Sequence, residues 1–211
     1  HNIRNQKSSI LSKNIQTKKH DLVKIDAVIP DGITPFDCLY FLWRDFFVNK
    51  VYDDFLNKIY VETVLDLGAN QGLFTYLMVT RGAEKIYAVE AVKKCCDNMK
   101  KMFKDDNNVI IINKAVSDDN SQVKIFVNKA NTTVSCRDID KCKKHLPNSI
   151  DGYEEFFVDG ITINELIKQQ RIDKIDLMKV DIEGDEYLLF DTITYKNLSR
   201  IENMIIEYHH N

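Results

Sequence analysis

Val64-Leu65-Asp66-Leu67-Gly68-Ala69-Asn70-Gln71-Gly72-Leu73-Phe74 decides how this 211-residue chain reads. Residues 63–67 form a short apolar run that predicts a buried strand. Gly68 ends it, and a helix is expected over 74–80. In an open α/β sheet the ligand crevice lies beyond the carboxyl ends of the strands, where strand order reverses, and the first βα turn usually sits there. Gly68 and Gly72 lack a Cβ, so a ligand can lie against the backbone at both. The amides leading into the helix then face that ligand. The turn reads G-x-N-x-G. It lacks the third glycine of the dinucleotide fingerprint, and no Gly-Lys-Ser/Thr follows to make a phosphate loop. Asp66 at the strand end repels a pyrophosphate and suits a ligand carrying an ammonium and a sulfonium. Glu90, ending the next strand, is placed to accept both ribose hydroxyls, a feature shared with NAD-binding folds. Together these features favour S-adenosylmethionine over NAD.

Outward from that turn, strands and helices alternate. Strands are expected over 85–89 and 109–112, with a helix over 92–103 between them. Residues 122–128 place Val123, Ile125 and Val127 on one side, the pattern of an antiparallel strand, and 155–158 is its expected partner. Thr162 and Glu165 have capping-box spacing for a helix through Gln169. A strand over 175–180 ends at Asp181, a helix follows over 185–193, and 203–208 is another buried strand. The pattern predicts an α/β fold: a doubly wound, mostly parallel sheet with helices on both faces. This domain is expected over 60–211. Residues 1–59 read as an N-terminal extension, a polar basic arm and then amphipathic helices. The arm carries Arg4, Lys7, Lys13, Lys18, Lys19 and Lys24 against Asp21. The apolar residues of 36–56 recur at three- and four-residue spacing, either to pack on the main domain or to roof a pocket.

Composition narrows the function classes. Lys+Arg number 29 and Asp+Glu 32, a net charge of -3 that gives no overall field to attract a polyanion. RNA is therefore the weaker alternative as acceptor, and it would need the basic arm. The 5 cysteines are odd in number and show no disulfide or zinc spacing, so reduced thiols in a cytoplasmic protein are expected. Asp37, Arg44, Asp45, Lys50, Asp53 and Asp54 interrupt the most apolar stretch, which excludes a membrane span there. No signal peptide is visible. Oligomeric state is not legible.

The residues from Val64 to Phe74 resemble motif I of class I methyltransferases, and D-x-G-A-N-x-G is similar to the variant of the FkbM family. Asp176-Leu177-Met178-Lys179-Val180-Asp181-Ile182-Glu183-Gly184-Asp185-Glu186 resembles that family's second signature, D-x-x-K-x-D-x-E-G-x-E. Ile206-Glu207-Tyr208-His209 resembles its terminal E-x-H, and Asn113-Lys114-Ala115-Val116-Ser117-Asp118 its segment after the third strand. The resemblance implies S-adenosylmethionine-dependent O-methylation of a sugar or another small hydroxylated acceptor. By position, Asp66, Gly68, Asn70, Gly72, Phe74 and Glu90 hold the cofactor, Ala115 and Val116 lie along the adenine, and Asp181 faces the methionine end. The family continues past E-x-H with a helix and a β-hairpin; this chain stops at Asn211, so the domain is expected to be C-terminally incomplete.

Methyl transfer to an alcohol also needs a proton acceptor. Asp181 and His209, on strand ends expected to be neighbours, are both candidates, with Lys179 in a charge network beside them. Glu183, Asp185 and Glu186 begin a helix, where negative charge is favourable without function. A magnesium site of Asp181, Glu183 and His209 is conceivable, but no metal is expected. The segment 128–153, with Arg137 and His145, is expected to help select the acceptor. A cofactor-binding module without catalysis and an NAD-dependent oxidoreductase are the competing readings.

Overall fold

The computed structural model describes residues 9–16, 22–29, 43–128, 135–137 and 152–207. The chain divides into two units, His1–Phe55 and Leu56–Asn211.

In the first unit, β1 (Ser9–Gln16) and β2 (Leu22–Ile29) form an antiparallel hairpin in register from Ser9↔Ile29 to Gln16↔Leu22. The polar arm expected from the lysines is therefore strand over these residues. Among the charges stand the β-branched residues Ile10, Ile15, Val23, Ile25, Val28 and Ile29, which favour pleated backbone. The described part of the expected helical region is a π-helical turn, Arg44–Val48, followed by α1 (Asp53–Leu56). Lys50, at φ 51°, adopts a left-handed conformation that no helix continues through, so the two turns stay separate.

The second unit carries the sheet. Its five strands are β3 (Thr63–Leu67), β4 (Lys85–Glu90), β5 (Val109–Asn113), β10 (Leu177–Val180) and β11 (Met204–Ile206). They lie in the order β11-β10-β3-β4-β5, and every pairing is parallel. The chain runs outward from β3 through β4 to β5 and then returns to lay β10 on the other side of β3. Strand order reverses between β3 and β10, and a crevice opens at such a point.

Strand parity sorts the two faces. Leu65, Leu67, Tyr87, Val89, Met178 and Val180 pack with Leu166 and Ile167 of α4 (Ile163–Gln169) and Leu189 of α5 (Glu186–Thr192). On the other face Ala88 meets Cys96 and Met99 of α3 (Lys93–Met102), with Tyr76 and Val79 of α2 (Leu73–Thr80) against that cluster. Helices thus cover both faces, as a doubly wound sheet requires. The short helix α6 (Tyr195–Leu198) leads into β11.

A second sheet, in the order β6-β9-β7-β8, flanks the carboxyl end of β5. It comprises β6 (Ala115–Val116), β7 (Gln122–Asn128), β8 (Ser135–Cys136) and β9 (Tyr153–Ile161). The expected antiparallel pair is longer than its sequence pattern indicated, running from Gln122↔Asp159 to Asn128↔Tyr153. Thr162 caps α4, its hydroxyl oxygen accepting the Glu165 amide at 3.1 Å. The reciprocal half of the capping box is replaced, because the Thr162 amide donates to Asn120 Oδ1 at 3.1 Å. Among the described residues no helix is long and apolar enough to cross a membrane.

Candidate functional site

The site is built where β3 and β10 end. Gly68 (φ 78°), Asn70 (φ 52°) and Gly72 (φ 83°) are all left-handed, which curls the turn tightly before α2. The Gly68 and Ala69 amides both donate to the Val89 carbonyl at 3.0 Å, fastening the turn to the end of β4. A Cβ on Gly68 would lie 1.7 Å from the Asp181 carbonyl oxygen, and one on Gly72 would lie 2.8 Å from Met99 Cγ. The two glycines therefore make room for other parts of the chain. The backbone after β10 occupies the space on the Cβ side of Gly68, and α3 occupies it at Gly72.

A cleft of about 670 Å³, open mouth included, lies above this junction. Of the residues singled out in the sequence, Gly68, Asn70, Glu90, Ala115, Val116 and Asp181 line it. Glu90 is buried, its Oε2 accepting the Asn70 amide at 2.8 Å and its Oε1 the Val92 amide at 2.7 Å. Burial pushes its carboxyl above the ordinary range, against the pull of those two amides. Asn113 steadies the end of β4 from the next strand, donating to the Glu90 and Ala91 carbonyls at 3.0 and 2.9 Å.

Asp66, Gly72, Phe74 and Lys179 stand behind this lining. In register, Lys179 lies opposite Asp66 and Asp66 opposite Ala88, so all three point to the face covered by α2 and α3. Asp66 is fully buried, and Thr75 Oγ1 donates to its Oδ2 at 2.7 Å. Burial raises its carboxyl above the ordinary range, opposed by Lys179 and Thr75. Lys179 Nζ donates to Asp181 Oδ2 at 2.8 Å and to the Gly68 carbonyl at 3.3 Å. It also lies 3.9 Å from Asp66 Oδ1 and 5.9 Å from the Phe74 ring centre. The charge network expected around Lys179 is thus present, with Asp181 and Asp66 as partners. His209 lies outside the described residues. β11, which ends three residues earlier in the sequence, runs beside β10, with Val180 paired to Ile206, and the Glu207 amide donates to the Val180 carbonyl at 2.9 Å.

The second signature is split between the two ends of the sheet. Asp176, its first residue, accepts the Glu62 and Thr63 amides at 3.0 and 2.7 Å and pairs with Lys174 at 2.7 Å, pinning the start of β3 far from the cleft. Glu183 and Asp185 line the cleft, whereas Glu186 is buried and accepts the Gly184 amide at 3.0 Å.

Arg137, from the segment expected to help select the acceptor, also lines the cleft, and so does Lys114, to which the sequence gave no role. Arg137 Nε sits 2.7 Å from Asp185 Oδ2, and its Nη2 donates to the Val116 carbonyl at 3.4 Å. Lys114 pairs with Asp159 at 3.7 Å. Only the pairing of β8 with β7 brings Arg137 here, and nothing local in the sequence announces that pairing. The rest of the segment 129–151 lies outside the described residues. Among the described residues, no group of three His, Cys, Asp or Glu side chains is arranged to hold a metal ion.

Comparison with known proteins bears on this geometry. No curated protein matches the chain. Among solved structures, it is similar to a proposed RNA methyltransferase from Pyrococcus horikoshii, at 26% identity over 34% of this chain and 36% of that one, with a TM-score of 0.29. It is also similar to protein arginine methyltransferase 10 of Arabidopsis thaliana, at 29% identity over 36% of this chain and 22% of that one, with a TM-score of 0.26. The PRMT6-SAH structure matches at 8% identity over 78% of this chain and 42% of that one, with a TM-score of 0.42. The chain spans less than half the length of each of these proteins. The family model for the methyltransferase FkbM domain matches residues 66–211, from the carboxylate at the end of β3 onward and over more than half of the sequence, and the chain therefore belongs to the FkbM methyltransferase family.

Proposed function

We propose that the protein transfers a methyl group from S-adenosylmethionine to a hydroxyl of a sugar or another small acceptor. The observation that carries this reading is the charge of the cleft: Glu90, Asp181, Glu183 and Asp185 line it against Lys114 and Arg137, both engaged with acidic side chains. A surplus of carboxylates favours a ligand bearing an ammonium and a sulfonium and disfavours a dinucleotide pyrophosphate. The same surplus disfavours a polyanionic acceptor such as RNA.

Glu90 is suited to a ribose. Each oxygen already accepts one amide, which fixes the carboxylate, and each keeps lone-pair capacity for a hydroxyl. Ala115 and Val116, with Ile125, offer an apolar wall for the adenine. Asp181 is the counter-charge for the ammonium. When bound, S-adenosylmethionine supplies a methyl group activated on sulfur. The chain itself orients the acceptor and takes its proton. Orientation supplies the larger share, and a positioned base typically adds ~10²–10⁴-fold. Asp181, on the cleft wall, and His209, which follows β11 in the sequence, are the two candidates for that base. Buried Cys95 and Cys96, present as thiols, accord with a reducing compartment, and we assign the protein to the cytoplasm.

Calorimetry with S-adenosylmethionine and S-adenosylhomocysteine tests the reading. Both bind the wild-type chain, and Glu90→Ala weakens both at least about tenfold, the equivalent of ~1.4 kcal/mol, by removing the ribose acceptor. Unchanged affinity in that variant, or preferential binding of NAD, refutes the assignment.

A further inference from the structure

The charge layer behind the cleft has an asymmetry. Lys179 is 5% exposed and shares its ammonium between two carboxylates unequally, at 2.8 Å from Asp181 Oδ2 and 3.9 Å from Asp66 Oδ1. Asp181 is on the cleft wall, where a ligand reaches it; Asp66 is sealed under α2. Among the described residues nothing donates a hydrogen bond to Asp66 Oδ1, although Thr75 satisfies Oδ2. A carboxylate oxygen buried without a donor is costly unless a charge can reach it. The Lys179 ammonium, 3.9 Å from it, is turned toward Asp181.

We propose that Lys179 is a movable counter-ion and a positioning residue: it neutralises Asp181 while no cation fills the cleft, and it turns onto Asp66 when a ligand ammonium engages Asp181. This rests on the S-adenosylmethionine reading above. Two positive charges cannot both sit close against Asp181 without repulsion, so arrival of the ligand ammonium pushes Lys179 away. Asp66 Oδ1, on the paired residue of the adjacent strand and 3.9 Å from the ammonium, receives it. Asp66 thereby acts on the ligand without touching it. It lowers the cost of freeing Asp181, and it does so only for ligands that carry a positive amino group. The Gly68 carbonyl, 3.3 Å from Lys179 Nζ, stays within reach of the ammonium and guides it between the two carboxylates.

The experiment compares two probes by calorimetry. S-adenosylhomocysteine carries the ammonium; 5′-methylthioadenosine is the same nucleoside thioether without the amino acid. Asp66→Asn removes the charge that receives Lys179, so affinity for S-adenosylhomocysteine falls about tenfold or more, while affinity for 5′-methylthioadenosine stays within about twofold. Lys179→Met removes the competitor for Asp181, so the preference for S-adenosylhomocysteine over 5′-methylthioadenosine rises. Opposite changes of that preference in the two variants support the movable counter-ion, and either variant alone suffices if the other fails to fold. A purely structural role weakens both probes together. A preference unchanged from wild type, beside normal wild-type binding, overturns the proposal while leaving the cofactor reading intact. Absence of binding of either probe to the wild-type chain overturns both.

Discussion

Replacing Gly68 with alanine tests the junction on which the site is built. The new Cβ would lie 1.7 Å from the Asp181 carbonyl oxygen and 2.8 Å from its carbon, both backbone atoms that no side-chain rotation can move aside. Restoring an ordinary contact of 3.4 Å demands that the two loops part by about 1.7 Å. That movement breaks the Asp181 amide's hydrogen bond to the Leu67 carbonyl, now 3.0 Å, at a cost of about 1 kcal/mol. The left-handed backbone adds roughly 1–2 kcal/mol for any residue with a Cβ. The expected loss is about 2–3 kcal/mol, a sizeable share of the ~5–15 kcal/mol of an ordinary domain. Gly82 is the natural control. It has φ +88°, and a Cβ there meets nothing within 4 Å, so Gly82→Ala carries the backbone penalty alone, roughly 1–2 kcal/mol. Urea unfolding of both variants at equal m-values measures the difference. Equal losses in the two variants would show that Gly68 is not wedged against β10, and the account of the junction would fall. S-adenosylhomocysteine affinity should drop in Gly68→Ala only, since Gly82 lies away from the cleft.

Asp176→Ala, in the family signature but at the opposite end of the sheet, should cost about 2–4 kcal/mol through its two amide bonds. Cofactor affinity per folded molecule should be unchanged; a selective loss of affinity would place Asp176 in the site after all. Asp66 has its carboxyl raised by burial, so its favourable contribution is fully present below the ordinary carboxylate value near ~3.9 and is lost as pH rises through the higher folded value. Asp66→Asn should therefore gain stability relative to wild type as pH climbs from about 4, and parallel pH profiles of the two proteins would contradict burial as the dominant influence. The Cys96 thiol, pushed up to about 12 by burial, should resist iodoacetamide at pH 8 until denaturant is added. Labelling of Cys96 in the folded chain at the rate of a free thiol would exclude that environment.

Much of the architecture follows from local pattern. The run 63–67, the glycine turn and the alternation of short apolar strands with helices lie within a few residues of one another, and each has one favourable backbone arrangement. They determine a parallel sheet with its first turn at the cleft, and the order of signatures determines the family. The N-terminal hairpin was obscured because a cluster of lysines says how a segment meets water and not which segment it pairs with. Its partner strand is the next segment of the chain, Leu22–Ile29, which carries its own lysine.

The roles of individual side chains needed the tertiary structure. Parity along β3 shows that Asp66 and Leu67 face opposite ways, yet it does not say which face α2 will seal. Packing put Asp66 under the helix, behind the cleft lining, and left Glu90 and Asp181 at the opening. The glycines could be recognised as positions of close approach, but what approaches is set by strand order: β10 returns beside β3 and presses the Asp181 carbonyl onto Gly68. Arg137 is held at the cleft by Asp185 and the Val116 carbonyl, both far from it in the sequence. Periodicity and turn chemistry fix which residues share a face. Which face meets solvent, ligand or helix depends on contacts between segments far apart in the chain, and only the folded sheet supplies them.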